Sequence, residues 1–163
     1  MRPRARGALS LVLLLGCLAL ATPSAADATA FFGAATTPQT RPTLGAAVGG
    51  SLLVVGWEIE YARATEDEGD FAPAVTTLMG NVLAQNPVPL NGMTFYATVG
   101  AGVYREALGE ESLVNVGTNM GGGLKIDISG PLRVRLDYRL FTFAGEPLHK
   151  TPQRFYAGLT SSF

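Results

Sequence analysis

Eight charged residues of this sequence stand singly between apolar neighbours: Glu58, Glu60, Lys125, Asp127, Arg133, Arg135, Asp137 and Arg139. Three kinds of chemistry come into question. Glu58 and Glu60 are residue types that glycosidases use as a carboxylate pair. Gly121-Gly122-Gly123 has the composition of a phosphate-cradling loop, which needs a helix start behind it. His149, the one histidine, could serve a nucleophilic hydrolase with Ser112, Ser161 or Ser162. None of these is well supported. Leu124 to Ile128 alternates like a strand, not a helix, and His149 lies in a polar segment beside Lys150 with no serine and acid at useful spacing. We assign no catalytic residue, no metal ligand and no cofactor. The eight charges balance, four negative and four positive. Unpaired burial would cost several kcal/mol per ion, so they read as one ion-pair network.

The elements that would hold such a network are strands. From Val114 to Ile128 the residues Val114, Val116, Met120, Leu124, Ile126 and Ile128 share one parity, and Asn115, Gly117, Asn119, Gly121, Gly123, Lys125 and Asp127 share the other. After Ser129-Gly130-Pro131 the pattern resumes, with Leu132, Val134, Leu136, Tyr138 and Leu140 opposed to Arg133, Arg135, Asp137 and Arg139. Successive side chains of a strand point to opposite faces, so strict alternation means β-structure. One face is apolar over almost its whole length and the other carries charges and glycines. That suits a barrel with lipid outside and a polar interior.

Turn signals divide the chain into eight strands: 29–36, 43–50, 53–63, 71–85, 93–105, 114–128, 132–143 and 153–163. The facing of Phe31 and Phe32 is ambiguous. Gly49-Gly50-Ser51 and Ser129-Gly130-Pro131 are expected as tight turns, with 86–92 somewhat longer. The segments 37–42, 65–70, 106–112 and 144–152 are expected as polar loops at the other rim. Glycines 100, 102, 117, 121 and 123 face inward by parity. In a barrel of eight strands the interior is only just wide enough for side chains. On the outward parity, Trp57, Tyr61, Phe95 and Tyr138 are candidates for interfacial aromatic girdles. Phe155, Leu159 and Phe163 fall on one face of the last strand.

Residues 1–26 read as a secretory signal peptide. Arg2, Arg4 and Arg6 precede the apolar run Ala8 to Ala21, and Ser24-Ala25-Ala26 provides small residues for cleavage. Ala28 is the second choice, and Leu14-Leu15-Gly16-Cys17 offers a lipoprotein alternative. Residues 27–163 contain no cysteine, which excludes disulfides and thiol-bound metals. A net charge of −1 provides no basic footprint for nucleic acid.

Three stretches carry a family resemblance: Tyr96 to Tyr104 with its Gly-Ala-Gly, Asn119 to Arg139 with its Ser-Gly-Pro turn, and the last strand ending in Phe163. With them the chain resembles the small OmpA/OmpX-type outer-membrane β-barrel family over its whole mature length. The resemblance implies an all-β, eight-stranded antiparallel up-and-down transmembrane barrel in the outer membrane of a Gram-negative bacterium. It also implies insertion by the barrel-assembly machinery, with Phe155, Leu159 and Phe163 as its signal. Ser161 departs from the pattern, where an aromatic or aliphatic residue is commoner.

The functional expectation is a barrel with a mostly plugged polar lumen and a structural or surface-interaction role, without catalysis. Its partners would be outer-membrane lipid and lipopolysaccharide, and the barrel would be monomeric. The acidic run Glu66, Asp67, Glu68 and Asp70 could meet cations or the phosphate–cation layer of that lipid. The alternatives are a narrow porin-like passive channel, a barrel lipid-modifying enzyme, and a soluble lipocalin-like carrier. The last would require Trp57, Val99, Leu136 and Leu159 to face a ligand.

Overall fold

A computed structural model describes residues 25–67, 69 and 72–163. The expected signal peptide lies outside them up to residue 24. The described residues form eight antiparallel strands: β1 (Ala25–Ala35), β2 (Arg41–Leu52), β3 (Val55–Ala64), β4 (Ala74–Gln85), β5 (Met93–Leu108), β6 (Glu111–Ser129), β7 (Leu132–Phe143) and β8 (Gln153–Ser162). Each pairs with its neighbours in sequence, and β1 pairs with β8 from Asp27 opposite Ser162 to Ala35 opposite Arg154. The seam ends in a reciprocal main-chain pair, Ala26 N–H to Phe163 O at 3.0 Å and Phe163 N–H to Ala26 O at 2.9 Å. Closure leaves the strand backbone no unpaired edge, the condition for crossing a medium without water.

Alternation in sequence becomes alternation of burial. Along β3, Trp57, Ile59 and Tyr61 are exposed while Gly56, Glu58, Glu60 and Ala62 are buried. The same inversion runs through β5 and β7, where Tyr96, Tyr104, Arg135, Asp137 and Arg139 point inward. Of the ambiguous pair, Phe31 turns inward and stacks on Tyr156 with ring centroids 4.0 Å apart, and Phe32 turns outward.

Several boundaries differ from the expectation. Gly49-Gly50-Ser51 is not a turn: it continues β2, and the chain reverses at Leu53-Val54, with Leu53 at φ 55°. A Cβ at Gly49 would collide with the Trp57 carbonyl across the pair, so the glycine serves a close strand approach. The segment 106–112 is not a loop either. β5 and β6 continue as a hairpin until Leu108 faces Glu111 around Gly109-Glu110, with Gly109 at φ 59°. What holds it is Tyr104 stacked on Phe143 at 3.8 Å and the Glu106 carboxylate accepting the Leu148 N–H at 3.0 Å. β4 begins at Ala74, after Pro73, which has no N–H to give the ladder. β1 begins at Ala25, earlier than Thr29, because its first residues pair with the end of β2.

Residues 53–54, 86–92 and 130–131 connect strands at one rim, which also holds the end of β8 and the start of β1. Residues 36–40, 65–73 and 144–152 connect them at the other rim, where the β5–β6 hairpin also turns.

Candidate functional site

The barrel wall aims one residue in two at the axis, and the middle of the lumen is occupied by a charged layer. Arg135 of β7 donates through Nη1 to Glu58 of β3, through Nη2 to Asp137 Oδ2 at 2.9 Å, and through Nε to the Tyr96 hydroxyl at 2.7 Å. That hydroxyl donates in turn to Asp137. Arg139 donates to Asp137 Oδ1 at 2.7 Å, to Glu58 Oε1 at 3.0 Å and to Asn119 Oδ1 at 3.3 Å, and lies 3.6 Å from Glu60. Asn119 and Asn81 extend the chain of hydrogen bonds toward β4. Glycine makes the layer possible: a Cβ at Gly123 would strike the Tyr96 hydroxyl and the Leu136 carbonyl.

The eight charges expected in one network separate into two. Glu58, Glu60, Arg135, Asp137 and Arg139 form the central layer. Lys125, Asp127 and Arg133 sit nearer the short-turn rim. There Lys125 Nζ meets Asp27 Oδ2 at 2.6 Å, and Arg133 Nε meets Asp127 Oδ1 at 2.8 Å. The Arg133–Asp127 pair is open to solvent and contributes little to stability.

Two charged partners were missed in the sequence. Asp27 also accepts from Ser162 Oγ at 2.6 Å, and Arg154 of β8 binds Glu60, whose other oxygen accepts from the Tyr156 hydroxyl at 3.1 Å. Arg154 could have been found from its parity opposite Phe155, whereas Asp27 stood at an uncertain cleavage point. One anion and one cation are added, so the balance holds.

Above the charges, Met79, Tyr104, Phe141 and Phe143 form an apolar layer, and Arg154 lies over the Phe141 ring at 4.8 Å. An apolar stratum inside the lumen was not expected; β7 simply continues its inward parity past Arg139 with phenylalanine. At the loop rim Arg41 ties two connections together, donating to Thr37 O at 2.9 Å, Thr65 O at 3.0 Å and Pro73 O. Below the charged layer, a void bounded by Asp27, Thr29, Glu58 and Lys125 measures about 10 Å³, the limit for a single water.

The other candidates are scattered. His149 lies in the 144–152 connection, while Ser161 and Ser162 are at the opposite rim, with Ser162 engaged by Asp27. Ser112 is exposed on the hairpin. Glu66 accepts the Gly109 N–H at 2.6 Å and Asp67 accepts the Gly69 N–H at 3.1 Å; Glu68 and Asp70 lie outside the described residues. Among the described residues no three His, Cys, Asp or Glu side chains gather as metal ligands.

No protein-family model and no curated protein sequence matches the chain. Solved structures do. The N-terminal β-barrel domain of Pseudomonas aeruginosa OprF superposes with a TM-score of 0.65 at 15% identity, over 86% of this chain and 98% of that one. Neisserial surface protein A gives 0.64 at 12% identity, over 85% and 95%. The outer-membrane enzyme PagL gives 0.54 at 14% identity, over 83% and 98%.

The chain has the fold of the small outer-membrane β-barrels.

The exterior of this outer-membrane barrel fold is apolar. Val99 is 60% exposed and Trp57 54%, and Leu136 and Leu159 are exposed with them, while Glu58 is 6% exposed and Arg135 1%. The lipocalin-like reading needs the opposite arrangement and is overturned. Trp57 and Phe95 lie near the short-turn ends of β3 and β5, and Tyr61 lies higher on β3. Tyr138 packs on Phe155 with centroids 4.5 Å apart, and its hydroxyl donates to Gln153 at 3.0 Å. Phe155 and Leu159 face outward on β8, and Phe163 is exposed at the seam's end.

Proposed function

We propose that this chain is exported through a cleaved signal peptide, residues 1–26, and resides in the bacterial outer membrane as a closed monomeric barrel. Its role is structural or surface-interactive, expressed at the loop rim among lipopolysaccharide and outer-membrane lipid, and it carries out no catalysis. Phe155, Leu159 and Phe163 serve as its signal to the barrel-assembly machinery. One observation supports this reading above the rest: apolar side chains cover the outside and paired charges fill the inside. In water the exposed apolar surface would be costly; in a bilayer that cost vanishes, and pairing offsets the cost of burying the charges.

Fractionation of native cells tests it. The protein should pellet with outer membranes and, in detergent, migrate differently before and after boiling, since a closed barrel resists unfolding. Recovery as a soluble periplasmic protein would overturn the reading.

A further inference from the structure

Two arginines interrupt the apolar exterior. Among the outward-facing strand positions of the described residues, Arg63 on β3 and Arg105 on β5 are the only charged side chains. They share one row: Arg63 is directly opposite Thr76 of β4, and Thr76 is directly opposite Arg105. Neighbouring strands are about 4.8 Å apart, so the two stems start roughly 10 Å apart with the threonine between them. Two guanidinium groups can converge on one small anion across that distance.

The position is as informative as the pairing. Both arginines are exposed and stand at the loop-rim ends of their strands. The next outward residues below them are Tyr61, Leu78 and Val103, all about half exposed. Leu44 and Val114 flank the row and are exposed, and between them Arg63, Thr76 and Arg105 end the outward apolar runs of β3, β4 and β5, where lipid headgroups would begin. Neither arginine has a hydrogen bond or an ion pair to any described residue. By contrast, Arg41, Arg133, Arg135, Arg139 and Arg154 each bind a carboxylate or a main-chain carbonyl. The nearby carboxylate of Glu66 is taken by the hairpin at Gly109 instead. Arginine presents a planar fork suited to phosphate oxygens, and a hydroxyl between two such forks adds a further donor.

We propose that Arg63, Thr76 and Arg105 form a subsite for the phosphate group of an outer-leaflet lipid, whose acyl chains lie on Tyr61, Leu78 and Val103. This rests on the outer-membrane reading above and names the chemistry that the exterior recognises.

The test uses the full-length mature protein, folded into detergent micelles, with native mass spectrometry to count bound lipid. The probes are lipid A carrying its phosphates and the same lipid enzymatically dephosphorylated. Wild type should retain the phosphorylated form about tenfold better, the scale of one charge-assisted hydrogen bond. Arg63→Gln or Arg105→Gln should lose part of that preference and the double variant all of it, each keeping the heat-dependent gel shift of a folded barrel. Millimolar inorganic phosphate should leave the lipid bound; displacement would mean a site for free anion and overturn the lipid assignment. Equal retention of both lipids by wild type would overturn the subsite by itself, even if the double variant failed to fold. A membrane-inserted wild type that ignores the phosphate sinks only this inference, whereas a protein that fractionates as soluble sinks the barrel reading beneath it.

Discussion

Glu58 and Arg135 stand on β3 and β7, opposite strands of the eight-strand ring, and their side chains meet across the full width of the lumen. A contact between opposite walls leaves no axial passage beside it unless the neighbouring positions are small. Gly49 beside Glu58 and Gly158 beside Arg135 are small, but Tyr96, Asp137, Arg139 and Asn119 fill the space they leave and close around the pair. The charged layer is thus a transverse partition, with an apolar layer of Met79, Tyr104, Phe141 and Phe143 above it.

Arg135→Ala should destabilise the folded barrel by roughly 3–5 kcal/mol, the usual cost of removing one member of a buried ion pair. Glu58 and Asp137 would both lose a cation, and Arg139 could satisfy only part of the deficit. Urea unfolding in lipid vesicles, followed by the heat-dependent gel shift, measures this. Arg133→Ala is the contrasting case: its pair with Asp127 is partly open to solvent, and the expected loss is about 1 kcal/mol or less. Equal losses for the two variants would show that burial does not govern these pairs.

Arg41→Ala should loosen the loop rim without opening the wall. Its guanidinium holds carbonyls from the 36–40 and 65–73 connections, so removing it frees both at once. Limited proteolysis of intact cells should then cut within 65–73 faster than in wild type. The free energy of unfolding should fall by about 1–3 kcal/mol, the cost of leaving buried hydrogen-bonding groups unpaired. Unchanged cleavage would mean that the connections are held by other contacts.

Deleting Phe163 should reduce the amount of inserted protein far more than His149→Ala does. Phe163 follows Ser162, which ends the seam opposite Asp27, and is 79% exposed, open to recognition during assembly. His149 sits in a rim connection with no part in the wall. Quantitative blotting of outer-membrane fractions compares the two; equal levels would remove Phe163 from the assembly signal.

The strands β3, β5, β6 and β7 were readable because alternation there is nearly strict and each strand has one apolar face. The inward place of Glu58, Arg135, Asp137 and Arg139 follows from parity alone, since a shift of one residue would turn every side chain over. Parity says nothing about height along the axis, however. Lys125 and Arg133 share the inward face with Arg135 but lie in a lower cluster. Glycine is a turn signal in sequence, but at Gly49 it serves a close approach to Trp57 across the strand pair. The hairpin above Arg105 looked like a loop because its polar residues carry no period. It is held from outside by the 144–152 connection through Glu106. Arg41 was invisible for a similar reason: its partners are main-chain carbonyls, which leave no mark in a side-chain pattern.

Electrical recording on the purified wild-type barrel in planar bilayers tests the central claim, a membrane barrel sealed by its own side chains. With Glu58, Arg135, Asp137 and Arg139 spanning the lumen and the apolar layer of Met79, Tyr104, Phe141 and Phe143 above them, inserted protein should conduct ions poorly, with no stable open level. Insertion is verified in the same preparation by protection of the barrel from added protease. A large, stable single-channel conductance from protected wild-type protein would contradict the partition and favour a passive channel.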